Sequence, residues 1–271
     1  MQSVFTKGLD LLNGSTMKLV AVTSMTIDHF AAGVVYYLLL YHCIPQGMDF
    51  EGLYRIYQIM RGIGRTAFPI YCFLLIEGLI HTRSRVKYLG NLLLFAALSE
   101  IPFDLALCLT EGADSPYLFS VLLMHTDEIL DHQNVFFTLA IGLSACWGIE
   151  ALRKRFGISP VTVAASVPIA IAAAYLADRL HTDYHSVGVF VILVLYLLRP
   201  VCGAAAGAAY LVLTRLSLEE WAFPAFIMMF LYNGKRGFLG RGRFAKYFFY
   251  WYYPLHLMLF ALIRIRLLQV M

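Results

Sequence analysis

The sequence predicts an all-α protein, a polytopic transmembrane helical bundle of about eight to ten membrane helices. Hydrophobic residues make up 60% of the 271-residue chain and charged residues only 14%, with a mean hydropathy of +0.71. A water-soluble domain of this length needs more charge to cover its surface. The apolar excess must therefore face lipid, and residues 1–271 are expected to form a single integral membrane domain.

Apolar runs long enough to approach a bilayer crossing recur along the chain. They cover residues 18–40, 63–81, 88–109, 134–152, 160–177, 185–198, 201–215, 220–232 and 246–266. The polar N-terminal segment leads directly into the first run, which predicts a first membrane helix. The runs from 185 to 232 are short, so tilted, broken or re-entrant helices are all open there.

Loop charge predicts the orientation, because cytoplasmic loops carry an excess of Lys and Arg. Basic residues follow the second, fourth, sixth and eighth runs: Arg83, Arg85, Lys87, Arg153, Lys154, Arg155, Arg199, Lys235, Arg236, Arg241, Arg243 and Lys246. Residues 110–133 have no Lys or Arg and contain Glu111, Asp114, Asp127, Glu128 and Asp131. The pattern predicts a cytoplasmic N-terminus and an external 110–133 loop. Nine spans would also put the C-terminus outside, where Arg264 and Arg266 fit poorly.

Ionisable side chains inside membrane spans are costly and are therefore candidates for function. Asp28 and His29 lie about half-way along the first run. Adjacent helical residues point about 100° apart, so these two side chains cannot face the same partner. His29 is a candidate general base because imidazole titrates near neutral pH, and the alternative is a structural histidine bonded to a neighbouring helix.

The second run carries Arg65 near its predicted outer end and Glu77 and His81, four residues apart on one face, near its inner end. Pro69 would break this helix locally and free carbonyl groups for a polar pocket. A solvated helix end is the alternative explanation for Glu77 and His81.

The third run places Glu100 and Asp104 one turn apart, on either side of Pro102, so that both carboxylates project the same way. Arg65 or Lys18 would be suitable partners. A direct catalytic role and a structural ion-pair network are both open for this pair.

Further along the chain, Asn134 is expected to bond helix to helix, and Asp183 stands where an N-cap residue would precede an apolar run. Lys235 and Arg236 suit either a phosphate-bearing ligand or ordinary topology signals. His256 follows Pro254, a position where a helix bends and leaves room for a ligand.

The sequence lacks the patterns of several other classes of protein. The five cysteines show no paired spacing, so neither a disulfide framework nor a metal site is predicted. The net charge of +4 is interpreted as a signal of membrane topology rather than of nucleic-acid binding, so no nucleic-acid partner is expected.

Several long motifs resemble the TraX family of membrane proteins. They are IDHF (27–30), GRTAFPIYCFLLIEGLIHT (64–82), SEIPFDLA (99–106), QNVFFTLAIG (133–142), DYHSVGV (183–189), YNGKRG (232–237) and YPLHL (253–257). The founding members of this family are linked to N-acetylation of conjugative pilin subunits in the bacterial cytoplasmic (inner) membrane. The resemblance therefore implies that this protein is a membrane-bound acetyltransferase located in the bacterial cytoplasmic (inner) membrane.

A second similarity extends this expectation. Ten residues separate Lys18 from His29 in the first run, which looks like the basic-x10-His signature of the acyltransferase family 3 membrane enzymes. The segment FPIYCFLLIEG also echoes the aromatic-rich second motif of that family. Both groups are similar to enzymes that use cytoplasmic acetyl-CoA to modify an acceptor across the membrane.

The resemblance implies acyl transfer from acetyl-CoA or a related acyl-CoA. His29 would act as general base or as a transient acyl carrier, with Glu100, Asp104 and His256 in the catalytic cavity. The residues that would bind coenzyme A are Lys18, Arg65, Lys235 and Arg236. The sequence leaves open whether His29 or His256 is the base.

The function favoured by the sequence is N- or O-acetylation of an acceptor at or across the membrane, the acceptor being a peptide amine, a sugar or an envelope polymer. The alternative is a transporter or exporter of a small anionic substrate. Many transporters contain duplicated halves, whereas IDHF, SEIPFD and YPLHL each occur once here. A non-catalytic scaffold is a third hypothesis, but such a protein would not need buried ionisable groups in several spans.

Overall fold

A computed structural model describes residues 11–109, 123, 131–239 and 243–270 of this chain. These residues form helices connected by short loops and contain no β-strand, which confirms the all-α membrane bundle. Of the acidic residues predicted in the external loop, Glu111, Asp114, Asp127 and Glu128 lie outside the described residues.

The described helices follow one another closely along the chain. In order they are α1 (Gly14–Phe30), a π-helical turn (Ala31–Val35) and α2 (Tyr36–Leu40), which form one continuous helix; α3 (Phe50–Gly64); α4 (Ala67–His81); α5 (Arg85–Phe103), which ends in a second π-helical turn (Asp104–Cys108); α6 (Val135–Phe156); α7 (Pro160–Arg179); α8 (His185–Leu197); α9 (Cys202–Leu213); a 3₁₀ turn (Glu219–Ala222); α10 (Phe223–Phe230); and α11 (Arg243–Val270).

Among the described residues, six helical segments are long and apolar enough to cross a membrane: α1 with α2, α3 with α4, α5 with its π-helical turn, α6, α7 and α11. The protein is therefore a multi-pass membrane protein whose partner is the lipid bilayer. Helices α8 and α9 are apolar but shorter, with 13 and 12 residues, as the short runs in this region predicted.

Helix α3 is the element that the apolar runs did not reveal. The second run was predicted to begin at residue 63, but the helix begins at Phe50 and is interrupted by a single turn at Arg65 and Thr66. Charged residues and glycines keep the hydropathy of α3 low, and many of its side chains are exposed. A pattern of this kind is typical of an amphipathic helix, which a search for continuous apolar runs overlooks.

The basic loops meet at one end of the bundle, which we call the basic face. Arg85 pairs with Glu150 at 2.6 Å, and the guanidinium groups of Arg153 and Arg199 both lie over the ring of Tyr196. The opposite end, where residue 133 bonds to residues 181 and 183, is called the distal face. The basic loops that the sequence predicted on one side of the membrane therefore share one end of the described bundle.

Helices α9 and α10 form a hairpin that enters the bundle and returns to the basic face. The chain enters α9 just after Arg199. Two residues beyond the end of α10 it reaches Tyr232, whose hydroxyl donates to Glu77 near the basic end of α4. Between them, Glu219 reaches Arg65 at the break between α3 and α4. A re-entrant hairpin was one of the three arrangements left open by the short apolar runs.

The position of Arg264 explains why this residue did not fit the predicted pattern of loop charges at the C-terminal end of the chain. Its side chain is buried, 1% exposed, and donates hydrogen bonds to the carbonyl oxygens of Leu105 and Ala106 at 2.7 and 3.1 Å. It also lies 4.1 Å from the centre of the Tyr37 ring. Arg264 is therefore not a loop charge, because it completes hydrogen bonds at the distal end of α5 where the helix leaves carbonyl groups unpaired.

We expect Arg264→Leu to lower the free energy of unfolding by about 2–4 kcal/mol, because two buried carbonyl groups lose a charged donor. Denaturant unfolding in detergent micelles would measure the change. The matched control is Arg266→Leu, since Arg266 is exposed two residues along the same helix. Equal destabilisation by the two variants would contradict this role for Arg264.

Candidate functional site

Two histidines from opposite ends of the chain meet inside the bundle. Nδ1 of His29 on α1 lies 2.7 Å from Nε2 of His256 on α11, and the two rings are nearly parallel. Nδ1 of His256 lies 2.6 Å from the backbone carbonyl oxygen of Tyr252, one helical turn earlier. The sequence predicted both histidines as candidates, and the fold makes them direct partners.

The backbone carbonyl group of Tyr252 determines which ring nitrogens of the two histidines donate hydrogen bonds and which accept them. A carbonyl oxygen can only accept a hydrogen bond, so Nδ1 of His256 must carry the proton that it donates to Tyr252. Nε2 of neutral His256 is then an acceptor, and Nδ1 of His29 donates to it. This arrangement leaves Nε2 of His29 with its lone pair, which is the form that a general base requires.

A cavity of about 1030 Å³ passes through the bundle beside His29. It is lined at the basic face by Lys18 and Arg236 and at the distal face by His132 and His181. His29 lines this cavity, whereas His256 lines a separate apolar groove between α1 and α11. Of the two histidines, His29 is therefore the one that a ligand in the central cavity can contact.

A chain of ion pairs lies at the centre of the cavity. Asp28 binds Arg61 at 2.7 Å and Arg65 at 2.6 Å, and Arg65 also binds Glu219 at 3.0 Å. All four side chains line the cavity. Buried charges need such partners because an uncompensated one is strongly destabilising.

The network confirms one prediction and corrects another. Asp28 and His29 do face different partners, as the helical geometry required. Arg65, however, is not a partner of Glu100 or Asp104, since it pairs with Asp28 and Glu219. Arg61 and Glu219 were missed because Arg61 belongs to the unpredicted helix α3 and Glu219 to a turn between two apolar runs.

Glu100 and Asp104 lie beside the cavity rather than in its lining. Glu100 accepts a hydrogen bond from the Asn134 side-chain amide, which also donates to the carbonyl oxygen of Ala96 at 2.8 Å. Asp104 is fully buried. Neither carboxylate hydrogen-bonds to His29, so the structure brings His29 together with His256 but not with these two acids. Asn134 has the helix-bonding role predicted for it.

The mouth of the cavity at the basic face carries some of the predicted cations. Lys18 and Arg236 line it, together with Glu77 and His81. The ammonium group of Lys18 also lies 5.5 Å from the centre of the Phe249 ring. Lys235 is exposed and does not line the cavity, so the two basic neighbours that the sequence treated alike differ in position.

The distal half of the cavity is lined by the turn between α7 and α8. Asp183 is exposed to the cavity, and the electrostatic influence of Arg65 and Arg61 extends to its carboxylate. Removal from bulk water raises the pKa of Asp183, while the two arginines oppose that shift. The sequence suggested an N-cap role for Asp183, but the residue at the N-cap position of α8 is Tyr184, with no side-chain capping bond.

A metal centre is not apparent in the part of the chain that the structure describes. Within residues 11–109, 123, 131–239 and 243–270, no group of three His, Cys, Asp or Glu side chains is placed to hold a metal ion. The described cavity lining contains imidazole, guanidinium, ammonium, carboxylate and phenol groups.

Comparison with known proteins identifies the family. The family model described as TraX protein matches residues 13–264. The chain is also 30% identical over 261 residues to a probable fimbrial assembly protein, FimC of serogroup H1, from Dichelobacter nodosus, an alignment that covers 90% of this chain and 92% of that relative. No solved structure is similar to this chain. On the extent of the family match, the chain belongs to the TraX family of membrane proteins.

Proposed function

We propose that this protein is a membrane-bound acyltransferase that moves an acyl group, acetyl in the simplest case, from acyl-CoA to an amine or hydroxyl acceptor. The observation that carries the proposal is the bond from His29 to His256. It fixes a basic nitrogen half-way along a cavity that reaches both faces of the bundle.

The basic half of the cavity suits the donor substrate. Lys18 and Arg236 would bind the phosphate groups of coenzyme A at the mouth. Lys18 and His29 are eleven residues apart on one helix, or about 16 Å along its axis. The extended pantetheine arm of coenzyme A covers a similar distance, so phosphates at the mouth would bring the thioester to His29.

The reaction would proceed by general base catalysis. Nε2 of His29 takes the proton of the acceptor as the acceptor oxygen or nitrogen attacks the thioester carbonyl carbon. The new C–O or C–N bond forms, the C–S bond breaks, and the thiolate of coenzyme A takes the proton back from His29. His256 acts as a positioning residue, because it holds the tautomer and the orientation of the His29 ring.

Loop charge and family membership support a proposal for how the protein is oriented in the membrane and in which membrane it lies. Basic loops are retained in the cytoplasm, so we infer a bacterial cytoplasmic (inner) membrane with the basic face and the N-terminus on the cytoplasmic side. The relative named for fimbrial assembly favours an acceptor in the cell envelope. A peptide amine, a sugar and an envelope polymer all fit that description.

The same cavity also favours a second function, the transport or export of a small anionic substrate, because its lining reaches both faces. The two functions differ in what happens to the donor. A transporter moves its substrate unchanged, whereas the acyltransferase releases free coenzyme A. If the wild-type protein neither binds nor consumes acetyl-CoA, transport becomes the better proposal.

The first test concerns the two histidines, with release of free coenzyme A from acetyl-CoA measured on purified protein in nanodiscs. We expect His29→Ala to lower the rate by about 10²–10⁴-fold, the usual contribution of a general base. His256→Ala should cause a smaller loss, and His256→Gln should recover most of it, since the amide oxygen can accept from Nδ1 of His29.

The recovery by glutamine separates positioning from mere packing, because alanine and glutamine both remove the imidazole ring. Wild-type rates in His29→Ala protein that still binds acetyl-CoA would refute His29 as the base. Complete loss in all three variants, with normal folding, would contradict the division of roles between the two histidines.

The second test concerns the donor mouth. We expect Lys18→Gln and Arg236→Gln each to raise KM for acetyl-CoA by about tenfold with little change in kcat, since charge-assisted bonds to phosphate would be lost. Lys235→Gln is the matched control and should behave as wild type, because Lys235 does not line the cavity.

Acetyl-pantetheine, which lacks the nucleotide phosphates, provides the internal check on this interpretation. Its KM should be insensitive to both substitutions. An equal effect of Lys235→Gln and Arg236→Gln on acetyl-CoA would instead indicate a diffuse surface charge rather than a binding mouth.

A further inference from the structure

The turn between α7 and α8, residues 181–185, is strained. His181, Tyr184 and His185 have positive φ angles of 45°, 66° and 47°. None of them is glycine, and a left-handed conformation costs such residues about 1 kcal/mol or more each. Strain of this kind persists only where the surroundings fix the backbone, and it often occurs at ligand-binding sites.

The surroundings of this turn do fix it. The backbone of Gln133 bonds to the turn twice, donating to His181 at 3.1 Å and accepting from Asp183 at 2.8 Å. The Thr138 hydroxyl donates to the carbonyl oxygen of Asp183. The ring of Tyr184 is stacked on Phe68, with ring centres 3.6 Å apart. Helix α4 and the N-terminal region of α6 thus hold the turn in a costly conformation.

The turn presents to the cavity a carboxylate, that of Asp183, which makes no direct ion pair within the described part of the chain. Asp183 lines the cavity and makes no ion pair with any described residue. The other central carboxylates are neutralised, since Asp28 binds Arg61 and Arg65, and Glu219 binds Arg65. Among Asp28, Asp183 and Glu219, the acidic side chains of the described central lining, Asp183 is therefore the one without a direct ion pair, and a cationic group could supply it.

We propose that the 181–185 turn is the acceptor-binding element of the cavity and that Asp183 binds a cationic group of the acceptor, separate from the atom that is acylated. This inference rests on the proposed acyl transfer. It assigns the acceptor to molecules that carry a positive charge a few bonds from their nucleophile, as diamines, lysine-containing peptides and amino sugars do.

The separation of charge and nucleophile follows from the position of His29. No hydrogen bond or ion pair joins His29 to Asp183 in the described structure. Tyr253 contacts the edge of the His29 ring, with ring centres 5.6 Å apart, and also interacts electrostatically with Asp183. A group held by Asp183 and a group deprotonated by His29 therefore occupy different positions in the same cavity.

The test compares two small amines of equal size as acceptors, 1,4-diaminobutane and pentan-1-amine. Each compound can present one amine for acylation, but only the diamine has a second amino group, which stays protonated and supplies the positive charge for Asp183. The reacting amine enters unprotonated, gives one proton to His29 as its C–N bond forms and the C–S bond breaks, and the thiolate takes that proton. The readout is amine-dependent release of coenzyme A by the full-length protein in nanodiscs.

We expect the wild-type protein to prefer the diamine by about tenfold or more in kcat/KM, the effect of about 1.4 kcal/mol of charge pairing. Asp183→Asn should abolish the preference by raising KM for the diamine. Asp178→Asn is the control and should keep both the preference and the basal activity. Asp178 lies near the end of α7, five residues before Asp183, and is outside the cavity lining; the asparagine oxygen can still accept the bond from the Ser186 amide.

Two outcomes would overturn the assignment: equal use of the two amines by the wild type, including no use of either, or a preference that survives in Asp183→Asn. Hydrolysis of acetyl-CoA by the wild type without any amine is measured in parallel. It tests the proposed acyl transfer by itself, so a failure of that function can be told apart from a failure of the acceptor site.

Discussion

The two arginines bound to Asp28 are the interaction on which the centre of this bundle depends. Asp28 stands in the first membrane helix, and its carboxylate is stable there only because Arg61 and Arg65 bring two positive charges to it. Arg61 lies in the last turn of α3, and Arg65 lies in the break between α3 and α4. The need to neutralise one buried acid therefore fixes where a broken helix must pack against α1.

The second arginine carries the constraint further. The cluster of Asp28, Arg61 and Arg65 keeps one net positive charge, and Glu219 at the tip of the re-entrant hairpin balances it by binding Arg65. The hairpin is consequently held at the depth of the helix break. His29, next to Asp28 but turned away from it, is left free to bond His256. Charge pairing on one face of α1 thus keeps the other face available for chemistry.

Much of the membrane architecture could be predicted from hydropathy and loop charge, because both act on continuous segments. The contact between His29 and His256 could not, since 227 residues separate them and no spacing rule spans that distance. Arg61 escaped notice because α3 is amphipathic rather than continuously apolar. The different positions of Lys235 and Arg236 were also hidden, because a loop conformation, not composition, decides which neighbour lines the cavity.

The irregular backbone segments explain how a cavity exists in the bilayer at all. Backbone that leaves a helix within a membrane must satisfy its polar groups inside the protein. Here the α3–α4 break, the hairpin tip and the 181–185 turn all border the central cavity, where Arg65, Gln133 and Thr138 provide partners. Continuous helices would have closed the space beside His29. The polar side chains therefore do more than line a pre-existing cavity, because they stabilise the interruptions that open it.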